Sequence, residues 1–210
     1  MSQSTLSVCC PVPTAIASVV TTLNPCPSDV GQIQKLVFWR RGTRIGSLAT
    51  ALTLTAWTAS LATSTASKTI VSPFVGNVEL APSEPREFGG GNETRWGAPI
   101  RKGGSSPVFS ASMYQIDQDV IASLKDLACE ALDVAFINEA NQFVYSDTNG
   151  GTTGFYGFEV ANVSFFVSDK GIGGLEDADQ NKIMFNLKPN WSDTLEITTE
   201  TTFALDMVNT

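Results

Sequence analysis

Two acidic groupings are the residues whose type and spacing come nearest to chemistry. Asp177-Ala178-Asp179-Gln180-Asn181 opens with the D-x-D-x-N spacing of a calcium loop, in which alternate oxygens converge on one ion. The next residue is Lys182, where such a loop needs glycine for its sharp turn, and the twelfth position is Lys188 instead of a bidentate glutamate. A plain acidic turn is the expected reading. Glu130, Asp133 and Glu139 lie close enough in sequence to share one site, as a general acid and base would. A helix end running into a hairpin accounts for all three without catalysis. Gly89 to Gly91 and Gly171, Gly173 and Gly174 lack the spacing that cradles a phosphate at a helix start, so they read as turns.

The chain has no histidine. That removes the usual general base at neutral pH, the Ser–His and Cys–His nucleophile pairs and the commonest metal ligand. Four cysteines (Cys9, Cys10, Cys26 and Cys129) follow no C-x-x-C zinc or redox pattern. Vicinal Cys9 and Cys10 would strain a disulfide, and free thiols are expected, with a bond between the N-terminal segment and the body left open. The expectation is a non-enzyme with no cofactor and no metal.

The elements that would position any site are mostly strands. Residues 1–30, rich in Pro, Ser, Thr and Cys, read as an extended arm, and 31–210 as a single β-rich domain. Gln32–Arg41 reads as a strand. Residues 46–67 lean to helix, with Leu48, Ala51, Leu52, Trp57 and Leu61 on one face, although Thr53 and Thr55 pull toward strand. Thr69–Leu80 reads as one strand bent at Pro73 and Gly76, and Val108–Ile116 as another. The clearest helix opens at Asp117, with Val120, Leu124, Leu127 and Ala131 on one face. A hairpin over Val134–Asp147, a turn at Asn149-Gly150-Gly151, a long strand over Phe158–Ser168, a strand over Lys182–Leu187 and a last one over Leu195–Met207 follow. The fold class expected is mainly β (α+β), a small barrel or sandwich with one flanking helix.

Between Ala81 and Pro107 the chain has four prolines and six glycines and little periodicity, so it reads as a long loop. Its apolar residues Phe88, Trp96 and Ile100, beside Arg86, Arg95 and Arg101, argue against simple disorder. These six residues are the candidate subunit interface, with Trp96 as anchor. Trp39 and Trp57 read as core, and Trp191 as either a cap on the barrel or a second anchor.

Composition narrows the partners. Charged residues are 16% of the chain, and acids outnumber bases 21 to 13. Sequence-independent nucleic-acid binding needs the opposite balance. A sparsely charged, Thr-rich surface suits contact between proteins. The N-terminus lacks a basic n-region, prolines 11 and 13 interrupt its apolar stretch, and no run is long enough to span a membrane.

Four segments resemble virion structural proteins of tailed bacteriophages, in particular the small β-barrel proteins of tail tubes. They are REFGGGNETRWGAPI (86–100), QDVIASLKDLACE (118–130), FINEANQF (136–143) and VSFFVSDKGIGGLEDADQNKIMFNLKPNWSD (163–193). The likeness lies in texture and order of elements. It implies a virion subunit, made in the host cytoplasm, that forms homo-oligomeric rings (often sixfold). Such rings stack into a tail tube or neck conduit, contact other virion proteins and let DNA pass without specific binding. The arm and the ambiguous 46–67 segment depart from a minimal tube protein and leave a capsid decoration protein or minor virion component as alternatives. A secreted adhesin or pilus-like β subunit and a small-ligand-binding barrel are the remaining readings.

Overall fold

Ile33–Arg40 and Leu132–Asn138 are buried at nearly every position, as strands covered on both faces are. The computed structural model describes residues 30–43, 53–63, 68–149, 152–175 and 177–199. In it those two segments are β1 and β7, the central antiparallel pair of a seven-stranded sheet. The expected arm, Leu48, Ala51 and Leu52, the turn at Gly150-Gly151 and the chain beyond Thr199 lie outside the described residues.

The first sheet runs β13 (Leu195–Thr199), β8 (Gln142–Asn149), β7, β1, β2 (Thr69–Val71), with β9 (Thr152–Tyr156) on β8 and β10 (Phe158–Glu159) on β7. The second runs β11 (Phe166–Val167), β12 (Gln180–Asn186), β6 (Val108–Tyr114), β3 (Gly76–Leu80). Every pairing is antiparallel. Inward-facing aromatics fill the space between the sheets. Phe109 stacks on Phe185 with ring centroids 4.6 Å apart and on Phe136 at 5.5 Å, and Phe38 meets Phe165 edge-on at 5.3 Å. The outer face of the first sheet carries a second cluster, Trp39, Phe143, Tyr145 and Phe155, closed by Trp57 of helix α1 (Leu54–Ala62). Trp57 lies flat on Phe143 at 5.2 Å and is fully buried. Burying a side chain of this class stabilises by roughly 1.5–3 kcal/mol. That contact is what decides the helix in the ambiguous segment.

The chain is mainly β with flanking helices, as its residues lead one to expect, and three local expectations are corrected. Thr69–Leu80 is not one bent strand. Pro73 has no N–H to give a ladder, so β2 ends in the first sheet and β3 begins in the second. Phe158–Ser168 is likewise divided. A turn around Val163, whose φ is +59°, separates β10 in one sheet from β11 in the other. Helix α2 (Gln118–Lys125) is shorter than expected and passes into a 3₁₀ turn over Asp126–Cys129. Its buried face is Ile121, Leu124 and Leu127, while Val120 and Ala131 are exposed. The tighter 3₁₀ winding turns the residues after Lys125 away from the α-helical stripe.

The sheets meet at two corners. At one, the N–H groups of Ser72 and Val75 donate to the carbonyls of Leu36 and Gln34 in β1, both at 2.8 Å. At the other, Val160 bridges Leu187. These are isolated bonds, so among the described residues the body is a sandwich and no closed barrel forms.

Asp117 caps α2, its carboxylate accepting from the Asp119 N–H at 3.1 Å. Asp117→Ala is expected to lose about 1 kcal/mol. Urea unfolding would read this as a lower midpoint at unchanged slope.

Candidate assembly surface

The stretch expected to be a long loop is a two-stranded hairpin. Strands β4 (Pro85–Phe88) and β5 (Ile100–Gly104) pair antiparallel, with Glu87 opposite Arg101 and Phe88 opposite Ile100. Gly89 to Gly91, Gly97 and Pro99, which help hide its periodicity, lie at its tip between the two strands. Gly89, Gly90 and Gly91 all take positive φ, and a Cβ on Gly89 would lie 2.2 Å from Thr94 Cγ2. Thr94 holds the tip together, accepting from the Gly90 N–H at 3.1 Å and donating to the Ala98 carbonyl at 2.6 Å.

All six predicted interface residues fall on this hairpin: Arg86 and Phe88 on β4, Arg95 and Trp96 in a 3₁₀ turn at the tip, Ile100 and Arg101 on β5. Every residue of β4 is exposed, and so are Ile100 to Gly103 on β5. Phe88 and Ile100 each show about half their surface, 50% and 49%, and Trp96 shows 89%. Lys102 Nζ sits 4.5 Å from the centre of the Phe88 ring. Trp96 has a left-handed backbone, φ +70°, which is unfavourable for a bulky residue. At its base the hairpin is tied by Ser105 N–H to the Glu84 carbonyl at 2.7 Å and Glu84 N–H to Ser105 Oγ at 2.8 Å. The hairpin region 84–104 has four basic residues against three acidic, leaving nine basic against eighteen acidic in the rest of a chain with 13 and 21. The hairpin is thus an apolar, slightly basic element on an acidic protein.

The carboxylates do not converge. Glu130 pairs with Arg40, accepting from Nε at 2.9 Å and from Nη2 at 2.6 Å. Glu139 sits in the β7–β8 turn, its N–H donating to the Gln32 carbonyl. Asp133 is buried in β7. In the 177–181 turn, Asp179 Oδ1 accepts from the Gly173 N–H at 3.2 Å, closing the loop on itself. Trp191 packs edge-on against Phe158 at 5.0 Å and Phe136 at 6.3 Å, as a cap on the core. Cys129 is an exposed free thiol.

One polar cluster escaped the sequence reading. Arg41 spans the corner between the sheets, with Nη1 donating to Asn162 Oδ1 at 3.0 Å and Nη2 to the carbonyl of Val160. Its Nε lies 3.5 Å from Asp133 Oδ1 and 3.8 Å from Glu159, which also pairs with Lys188. Nothing in the spacing of 41, 133, 159 and 188 announces this, because four different segments contribute. Burial pushes the Asp133 carboxyl up to about 6 from 3.8, with Arg41 only partly opposing the shift. The buried proton therefore favours the folded state: this contribution is complete below about pH 4 and is lost as pH rises through about 6. Compared with Asp133→Asn, the parent is expected to gain roughly 1 kcal/mol on going from pH 7 to pH 5. Parallel urea titrations at the two pH values check this. Equal pH responses in parent and variant would refute it.

No family model matches the chain, and no curated protein does. Among solved structures, the chain is similar to one in the tail of an empty GTA particle of C6 symmetry, at 12% identity and a TM-score of 0.33. That match covers 61% of this chain and 88% of the other. It is also similar to a chain in the sixfold-symmetrised baseplate of the anti-feeding prophage, at 6% identity and a TM-score of 0.37, covering 84% and 99%. At these values neither likeness bears on function.

Proposed function

We propose that this protein is a non-catalytic virion structural subunit of the tailed-phage type, assembling with copies of itself into rings that stack into a tail tube or neck conduit. The observation that carries this reading is the β4–β5 hairpin, which holds Phe88, Trp96 and Ile100 in solvent beside Arg86, Arg101 and Lys102. A two-stranded hairpin alone is marginally stable in water. A docked neighbour gives it the third layer it lacks. Exposed aromatic and arginine side chains are the types that anchor protein interfaces, and an acidic second copy offers the complementary charge. The ends of both sheets add strand edges through which subunits can pair. A contact between one patch and a different patch on the next copy is the kind that generates rings and stacks.

The acidic balance suits a conduit that DNA passes without adhering, since a wall with the opposite charge would grip it. None of the described helices is long and apolar enough to cross a membrane.

The test is the size and shape of the purified chain, by light scattering on a sizing column and negative-stain electron microscopy. Rings or tubes are expected, and their symmetry would separate tail tube from neck ring. A compact monomer at high concentration would refute self-assembly and move the assignment to a decoration protein that needs a capsid.

A further inference from the structure

An apolar groove of about 990 Å³ runs between helix α2 and the segment 68–76. Ile70, Phe74, Val75, Tyr114, Val120 and Leu124 line it. Phe74 is 52% exposed, and Val120, which the helix pattern assigns to the core, is 39% exposed. The space is at the top of the range, roughly 300–1,000 Å³, that takes a ligand of drug size, so several large side chains fit in it. Tyr114 is fixed in the wall, its hydroxyl accepting from Asn77 Nδ2 and its ring lying 3.4 Å from where a Cβ on Gly76 would stand.

Groove and hairpin stand at opposite ends of the β3–β6 pair. Gly76 lies opposite Ser112 near the groove, while Leu80 lies opposite Phe109, where the chain leaves for the hairpin. The base of the hairpin is held at that far end. The Leu187 N–H donates to the Pro107 carbonyl at 2.9 Å, and a Cβ on Gly104 would stand 3.8 Å from Pro189 Cβ. Val108 to Tyr114 is six residue steps along β6, or about 20 Å. Phe88, Trp96 and Ile100 are exposed in the single chain, so they do not fill the groove of their own subunit.

The two features match in chemistry. Beside its three apolar side chains the hairpin exposes Arg86, Arg101 and Lys102. The groove has Asp119 in its lining and Asp117 exposed at the start of α2. Asp177 is exposed at the same end, on the loop that the Gln115 N–H ties down through the Asp179 carbonyl at 3.0 Å. Of the bases there, Lys125 is paired with Asp169, Lys170 donates to the Ile116 carbonyl at 3.2 Å, and Lys68 is in the lining. A basic, aromatic projection thus has an apolar socket with an acidic rim as its counterpart. The left-handed backbone of Trp96 is the kind of local strain that persists where it aims a side chain at a partner.

Given the self-assembling subunit proposed above, on which this rests, we propose that the hairpin of one copy enters this groove of the next. Trp96 seats against Phe74 and Val120, and Arg101 faces Asp119. Donor and acceptor are different patches, so each docked copy still offers one of the two to a further copy. That is the condition for a head-to-tail ring or stack.

The experiment uses two full-length variants, each keeping half of the contact. Phe88→Ser/Trp96→Ser keeps the groove, and Phe74→Asp/Val120→Asp keeps the hairpin. Each alone is expected to sediment as a monomer. An equal mixture is expected to double in mass, because one intact hairpin meets one intact groove. Amide exchange over the β6–β12 ladder reports that both remain folded. In parallel, Trp96 is replaced by the photocrosslinker p-benzoylphenylalanine in an equal mixture of isotopically light and heavy protein. The expected products join position 96 to residues 69–76 or 114–124 between light and heavy chains, and this readout decides alone where the groove variant does not fold. A mixture that stays monomeric, a groove variant that assembles as the parent does, or light–heavy products outside the groove would each overturn the proposal. Rings in the parent with crosslinks elsewhere would remove the groove and leave self-assembly standing. A parent with neither rings nor products between chains would remove both.

Discussion

A chain carrying Phe88→Ser and Trp96→Ser is expected to remain folded and monomeric at concentrations where the parent assembles. Both side chains are already in solvent in the single subunit, at 50% and 89% exposure, so removing them forfeits little of the fold. In the proposed assembly they dock against a neighbour as buried aromatic anchors, whose truncation typically weakens binding by about 2 kcal/mol or more each. Two such losses weaken each subunit contact by about 10³-fold if they add. The proposed ring would multiply that loss, since every subunit in it would make the contact. Sedimentation velocity of parent and variant across one concentration series measures it. A variant that assembles as the parent does would remove the hairpin from the interface. Arg101→Glu separates the electrostatic part, and is expected to slow assembly most at low salt.

Gly157→Val is expected to cost about 3 kcal/mol or more, enough to unfold much of the population of a marginal domain. Gly157 lies between β9 and β10, where the chain crosses close over β7. Even a Cβ there would stand 2.7 Å from Asp133 Cβ, 2.8 Å from the Val134 backbone nitrogen and 2.9 Å from the Trp39 ring. None of these can yield. Asp133 and Trp39 are buried, and the Val134 backbone is inside a central strand. A valine therefore displaces β10 from β7, and with it the Val160–Leu187 bridge and the Arg41 corner. Urea unfolding followed by tryptophan fluorescence reads the loss. By contrast, Gly90 takes φ +116° with nothing within 4 Å of where a Cβ would stand, so a side chain there meets only backbone strain.

The elements whose signals are local were legible in the chain. β1, β6, β7, β8 and β12 follow from short apolar runs bounded by turn formers, and α2 from its capping Asp117 and apolar stripe. The exposure of Arg86, Phe88, Trp96, Ile100 and Arg101 was legible for a related reason: aromatic and basic residues stand out among prolines and glycines whatever the backbone does. The hairpin itself did not stand out, because the residues that form its turns erase the alternation of its strands. Period and propensity describe what one stretch of chain prefers. They carry no information on which stretch lies opposite. For that reason the division of 69–80 and 158–168 between two sheets, the turning of Val120 out of the core and the meeting of Arg41, Asp133, Glu159 and Lys188 were decided only when the tertiary structure formed. Packing of two sheets around shared aromatics selects those partners, and the energy that selects them belongs to contacts between residues distant in the chain, such as Phe38 with Phe165 and Phe185.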